Sequence, residues 1–174
     1  MSNIVPEKMT KFRVYADDGV LLGIADGNFP SLEFMTTEIK GAGIAGTIDS
    51  PGGGMFNSLV VTLNWRITTR DFMQLLEPVA HTLDLYSELL SYDAGRGEYK
   101  KERFHVYMTA LTKKGDMGKL ADMESQEGST EHEIYYMKTD IDGTEQLEID
   151  KYNFIFKVNG TDYLADTRRN LGMM

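Results

Sequence analysis

Gly41-Ala42-Gly43-Ile44-Ala45-Gly46 carries the G-x-G-x-x-G spacing that lets a backbone approach a pyrophosphate at a helix N-terminus. The residues immediately after it exclude that chemistry, because Thr47-Ile48-Asp49-Ser50-Pro51 and three more glycines cannot build the amphipathic helix the motif requires. A flexible contact loop is expected there instead. The three histidines, His81, His105 and His132, have no second histidine or cysteine at metal-ligand spacing, so solvent-facing positions on separate strands are expected for them. Asp140-Ile141-Asp142-Gly143 starts like a calcium loop, but no glutamate stands at the twelfth position and a hairpin turn accounts for it. No G-x-S-x-G elbow offers a serine nucleophile, and no spacing singles out a glycosidase pair among the 27 acids. Asn159-Gly160-Thr161 forms a glycosylation sequon in a chain with no export signal. The sequence therefore points to no catalytic residue, no cofactor and no metal.

With 174 residues the chain suits one domain, 1–174, with an N-terminal arm over 1–9 and a long glycine-rich loop over 40–57. The 27 acidic and 18 basic side chains give a net charge of −9, which disfavours tight binding to phosphate backbones. No cysteine is present, so disulfides and thiolate chemistry are excluded, and stability must come from packing or assembly. No apolar run has the length of a membrane span, and the first residues lack a signal-peptide pattern. No membrane partner and synthesis in the cytoplasm are expected.

The strongest period in the chain is two. Leu59, Val61, Leu63, Trp65 and Ile67 alternate with polar residues, as do Phe104, Val106, Met108 and Ala110. Asp18-Gly19, Asp142-Gly143 and Asn159-Gly160 are the dipeptides of tight hairpin turns. Strands are expected near Thr10 to Tyr15, Val20 to Ala25, Leu32 to Ile39, Ser58 to Thr68, His81 to Leu90, Lys101 to Thr112, Glu131 to Thr139 and Gln146 to Val158. One short helix is expected where Thr68 or Thr69 precedes Asp71, Phe72, Leu75 and Leu76, and Pro78 ends it. The fold class is all-β and mainly antiparallel, two packed sheets in a sandwich or barrel-like domain with that helix on its flank. Two segments, Lys40 to Asn57 and Lys113 to Ser129, show neither period and are expected to be long loops.

Two blocks go beyond generic β-protein signals: Gly41 to Trp65, GAGIAGTIDSPGGGMFNSLVVTLNW, and Ile141 to Met173, IDGTEQLEIDKYNFIFKVNGTDYLADTRRNLGM. Together they resemble the major tail tube proteins of contractile-tailed bacteriophages. The glycine-rich loop entering an aromatic-ended strand, the EID of Glu148 to Asp150, the KVNG of Lys157 to Gly160 and the RRNLG of Arg168 to Gly172 stand in that family's order. The resemblance implies a virion structural protein made in the host cytoplasm, a subunit of hexameric rings stacked into the inner tail tube. Its partners would be further copies of itself, the tail sheath, baseplate and tail terminator proteins. DNA would pass through the lumen without tight binding. The tube of a phage-tail-like bacteriocin or related contractile injection system is the alternative in the same class, and a monomeric β-sandwich ligand-binding module the alternative outside it. For this role Gly41, Gly43, Gly46, Pro51, Gly53 and Met55 are candidate inter-subunit contacts, and strand alternation offers Glu33, Glu38, Glu131 and Glu133 as acids facing a lumen.

Overall fold

Alternating side chains build the core. In the computed structural model, which describes residues 3–17 and 19–173, Leu59, Val61, Leu63 and Trp65 all point inward and are at most 1% exposed. The elements are β1 (Ile4–Ala16), β2 (Val20–Leu21), β3 (Ile24–Asn28), β4 (Phe34–Ile39), β5 (Ile48–Phe56), β6 (Val60–Trp65), α1 (Arg70–Leu75), β7 (Ala80–Asp93), β8 (Glu98–Asp116), β9 (Gly128–Ile141), β10 (Thr144–Asp150), β11 (Ile155–Val158), β12 (Thr161–Asp162) and α2 (Ala165–Asn170). The fold is all-β and antiparallel, as its period-two pattern requires.

Ten strands form one sheet in the order β12-β11-β10-β9-β8-β7-β1-β2, with β6 also on β9 and β3 on β6, while β4 and β5 pair only with each other. The branch lies on β9. One of its edges meets β8 over most of its length, and the other is shared between β6 along Gly128 to Glu133 and β10 along Tyr136 to Ile141. The extra residue Tyr135 shifts the register against β8, so that Thr130, His132 and Ile134 face inward before it and Met137 and Thr139 after it. The layers of the sandwich are thus continuous through β9, and β6 lays its apolar face on β7 and β8 in a single core.

Turns fall where the dipeptides placed them: Asp142 and Gly143 have φ of 49° and 79°, Asn159 and Gly160 of 48° and 82°, the left-handed pair a two-residue hairpin needs. Tyr15 and Ala16 pair with Leu21 and Val20, closing the hairpin predicted at Asp18-Gly19, although Asp18 itself lies outside the described residues. Helix α1 is capped by Thr69, whose hydroxyl accepts from the Phe72 amide at 3.1 Å, and it buries Phe72 and Leu75.

Several expectations are corrected. From Ile4 onward the segment expected as an N-terminal arm over 1–9 belongs to β1, which runs along β7 to Ile4↔Asp93; Met1 and Ser2 lie outside the described residues. The expected 40–57 loop is a turn followed by strand β5, and the 113–129 loop shrinks to residues 117–127 between β8 and β9. The span Gln146 to Val158 is two strands broken by a turn, because Asp150 accepts from the Tyr152 and Asn153 amides and reverses the chain. A second short helix, α2, comes after β12. Ile67 lies past the end of β6 and is 56% exposed.

The histidines are not solvent-facing as a set: His81 and His132 are buried at 2% and 0% exposure, on the same face as Leu83 and Ile134. His132 completes a one-way relay of hydrogen bonds. The Trp65 indole donates to the Thr130 hydroxyl at 3.1 Å, which donates to His132 Nε2 at 2.9 Å. On the other side His132 Nδ1 donates to the Thr112 hydroxyl at 2.9 Å, and that hydroxyl donates to the Leu75 carbonyl at the end of α1. Every group is satisfied only by a neutral imidazole carrying its proton on Nδ1. Burial, and secondarily His81, push its pKa down to about 4. Above pH 6.5 the ring is neutral whether folded or unfolded; below it the unfolded chain takes a proton that the folded chain refuses, so stability falls until about pH 4. The loss expected is about 3 kcal/mol. Urea midpoints measured from pH 7 to pH 5 should therefore decline in the wild type and lie nearly flat in His132→Gln; parallel declines would contradict the assignment.

Candidate assembly surface

The β4–β5 hairpin stands apart from the sheet, and most of its side chains face solvent. A two-stranded ribbon has too few contacts to be stable alone. Its tip is a glycine turn in which Gly41, Gly43 and Gly46 take φ of 146°, 93° and 131° and the Ile44 amide donates to the Gly41 carbonyl at 3.2 Å. Cross-strand pairing gives the ribbon two unlike faces. Ile39 stands opposite Ile48 and Thr37 opposite Ser50 on one, while Glu38 stands opposite Asp49 and Thr36 opposite Pro51 on the other. Ile39, Ile48, Met35 and Met55 are all more than 40% exposed. The candidate contacts thus divide: Gly41, Gly43 and Gly46 shape the tip, whereas Pro51, Gly53 and Met55 lie on the returning strand β5.

The ribbon is rooted by aromatic packing at its base. Phe34 and Phe56 stack at 4.8 Å, and both meet Phe156 of β11 edge-on, at 5.8 and 5.1 Å. Gly54, at φ 87°, lies so close to Leu164 that a Cβ there would stand 2.8 Å from its side chain. Gly54→Ala is expected to cost about 1–3 kcal/mol through backbone strain and that clash, measured as a lower urea midpoint. An unchanged midpoint would mean that the hairpin base is not seated on Leu164.

The exposed face of the large sheet is a second extended surface. One cross-strand row runs Tyr15, Asp84, Tyr107, Lys138, Glu148, Lys157, Asp162 from β1 to β12, and the next holds Arg13, Tyr86, His105, Asp140 and Glu145. His105 lies flat on Tyr86 at 4.3 Å, with its ring nitrogens 2.8 Å from Asp84 and from Asp140. Burial alone would raise the Asp140 carboxyl, but His105, the Gly143 amide and Arg103 together hold it below the usual range. Asp140, the start of the apparent calcium loop, serves this network and its turn, where it accepts from Gly143 at 3.1 Å.

Of the four acids offered for a lumen, Glu131 and Glu133 lie on this face of β9, while Glu33 lies at the base of the hairpin and Glu38 near its tip on β4. The structure does not bring the four together. Glu131 is 3.3 Å from Lys114, and Glu133 is 3.0 Å from Lys151 and bonded to the Ser58 hydroxyl. Burial works to raise Glu133, and Ser58, Lys151 and the Leu59 amide outweigh it, leaving the carboxyl lowered. Glu38 pairs with Lys40 at 3.0 Å in the open, an interaction of little energy.

Sequence reasoning did not say which strand is the free edge of the sheet. Strand β1 pairs with β7 on one side, while on the other β2 covers Tyr15 and Ala16 and the Leu22 amide donates to the Val14 carbonyl at 2.9 Å, so Ile4 to Arg13 are an open edge. Lys8, Lys11 and Arg13 project there, and among the described residues none of them forms an ion pair. Pro6 and the spaced lysines were the available signal, since proline and lysine collect on edge strands. Beside this edge an apolar slot of about 110 Å³ opens between β1 and β3, lined by Met9, Phe12, Ile24, Phe29 and Leu85. Among the described residues, no group of three or more histidine, aspartate or glutamate residues is placed to hold a metal, and no helix is long and apolar enough to cross a membrane.

The family described as Phage tail tube protein FII matches residues 6–172. The tail tube protein of Escherichia phage P2 is 38% identical over 68 residues, a segment covering 39% of this chain and 40% of that protein.

Proposed function

Since the chain belongs to the phage tail tube protein FII family, we propose that it is a non-enzymatic subunit of the inner tube of a contractile tail, forming hexameric rings that stack into a channel for genome delivery. The observation that carries this reading is the pair of unlike surfaces left unpartnered in one copy, the exposed β4–β5 hairpin and the open β1 edge. Both are incomplete in a single copy, and a repeated contact between unlike surfaces closes into a ring when the rotation allows. The tip glycines Gly41, Gly43 and Gly46, together with Pro51, Gly53 and Met55, belong to the inter-subunit contact. Sheath, baseplate and terminator proteins would bind the finished tube.

The exposed face of the large sheet suits a channel wall. From β7 to β11 its cations are held by carboxylates on the same face: Lys101 by Glu88, Arg103 by Asp140, Lys114 by Glu131, Lys138 by Glu145 and Lys157 by Glu148. Such a wall offers passing phosphates few free cations to displace their counterions, and hence no sticking point. Glu131 and Glu133 would line it; Glu33 and Glu38 would lie at the joint between copies.

Electron microscopy of the purified, concentrated protein tests the reading. Rings or hollow tubes with a central channel are expected. Monomers alone, even after preformed tail ends are supplied as nuclei, would overturn it.

A further inference from the structure

The hairpin and the open edge are matched to each other in pattern and in charge. A strand laid along a sheet edge sends alternate residues to opposite faces. Against the β1 edge, one face is the apolar slot of Met9, Phe12, Ile24, Phe29 and Leu85, and the other presents Lys8, Lys11 and Arg13. The hairpin has the complementary alternation, Ile39 and Ile48 on one face, Glu38 and Asp49 on the other. Residues 4–14 carry a net charge of +2 and residues 33–50 a net charge of −2.

The two surfaces do not pair within one copy: β4 and β5 bond only to each other, and Phe34 and Phe56 root the hairpin on Phe156 of β11, near the other end of the strand order from β1. We propose that the β4–β5 hairpin of one copy adds as a strand to the β1 edge of the next, seating Ile39 and Ile48 in the slot between β1 and β3 and setting Glu38 and Asp49 against Lys11 and Arg13. The exposed Lys40 partner of Glu38 is exchanged for these cations. The lysines on β1 also repel a second β1 edge, so edge meets hairpin and like does not pair with like. The contact removes two of the three unpaired cations, Lys11 and Arg13, from the channel face. This inference rests on the tail tube reading and specifies which surfaces join.

Charge swapping tests it. Lys11→Glu with Arg13→Glu, and separately Glu38→Lys with Asp49→Lys, change exposed groups and should lower the thermal midpoint by no more than a few degrees, the first through the Glu88 that stands opposite Lys11. Each variant alone should need about tenfold or more protein to form rings or tubes at low salt. Mixed in equal amounts they should assemble as the wild type does, because the acidic hairpin of one then meets the basic edge of the other. Assembly of the single variants at wild-type concentration, or loss that mixing does not restore, would overturn the docking while leaving the tube reading intact. Failure of the wild type itself to assemble would instead strike the tube reading.

Discussion

Trp65→Ala is expected to lower the unfolding free energy by about 3 to 5 kcal/mol, with a fall in Tm of roughly 10 °C for a chain of this length. Three separate losses add at this position. The indole is 1% exposed, so its apolar area leaves the core and a cavity remains. Its edge contact with Phe72, at 5.5 Å and 82°, is what docks α1 on β6, so the helix loses its main seat. Its N–H also feeds the Thr130 hydroxyl at the head of the relay that ends on the Leu75 carbonyl. Trp65→Phe keeps much of the volume and the aromatic contact but not the donor, and should cost distinctly less. Urea unfolding followed by far-ultraviolet circular dichroism measures both; a Trp65→Ala midpoint equal to that of the wild type would remove Trp65 from the centre of the core.

Replacing residues 37–50 with an Asn-Gly turn should leave stability almost unchanged and abolish rings and tubes. The replaced segment supplies no residue to the buried core, and Phe34, Phe56 and Phe156 remain to close the base. Thr36 and Pro51, already opposite each other, become the last pair of a shortened ribbon. Sedimentation velocity should show monomers at concentrations where the wild type assembles, with a Tm within a few degrees of it. Tubes of normal length from this variant would show that the hairpin is dispensable, and a large fall in Tm would show that it belongs to the fold of the single copy.

The parts of this fold visible in the sequence were those in which one face of a strand is apolar and the other polar. Leu59 to Trp65 and Phe104 to Ala110 belong to that class, and the Asp142-Gly143 and Asn159-Gly160 turns between strands were legible from their need for positive φ. The hairpin strand β5 was hidden because Ser50, Pro51 and three glycines have no strand propensity and no buried face; pairing with β4 alone makes it a strand. The first half of β1 was hidden by Pro6, Glu7 and Lys8, residues that suit an edge rather than a core. Helix α2 is as short as α1 but has no side-chain N-cap and buries no residue, so it lacks the two signals that marked α1. The buried histidines were legible in principle, since His81 shares the parity of Leu83 and Leu85, and His132 that of Ile134. Of the surface proposed for assembly, the glycines marked a turn, but which side chains the hairpin presents depended on the register of Ile39 with Ile48.

Pairing between β1 and β7 joins residues 67 to 89 positions apart, and β6 pairs with β9 across 63 to 73. Sheets built from such distant partners fold slowly, because loop-closure entropy must be met before the contacts reward it. During synthesis β1 and the hairpin leave the ribosome before β7 exists to back the edge. In that interval Pro6, Lys8 and Lys11 act as gatekeepers, keeping nascent chains from pairing with one another on a crowded polysome. The edge gains its backing only once β7 has joined it, so under the docking proposed above each copy would turn competent for growth of the polymer after its own folding is finished.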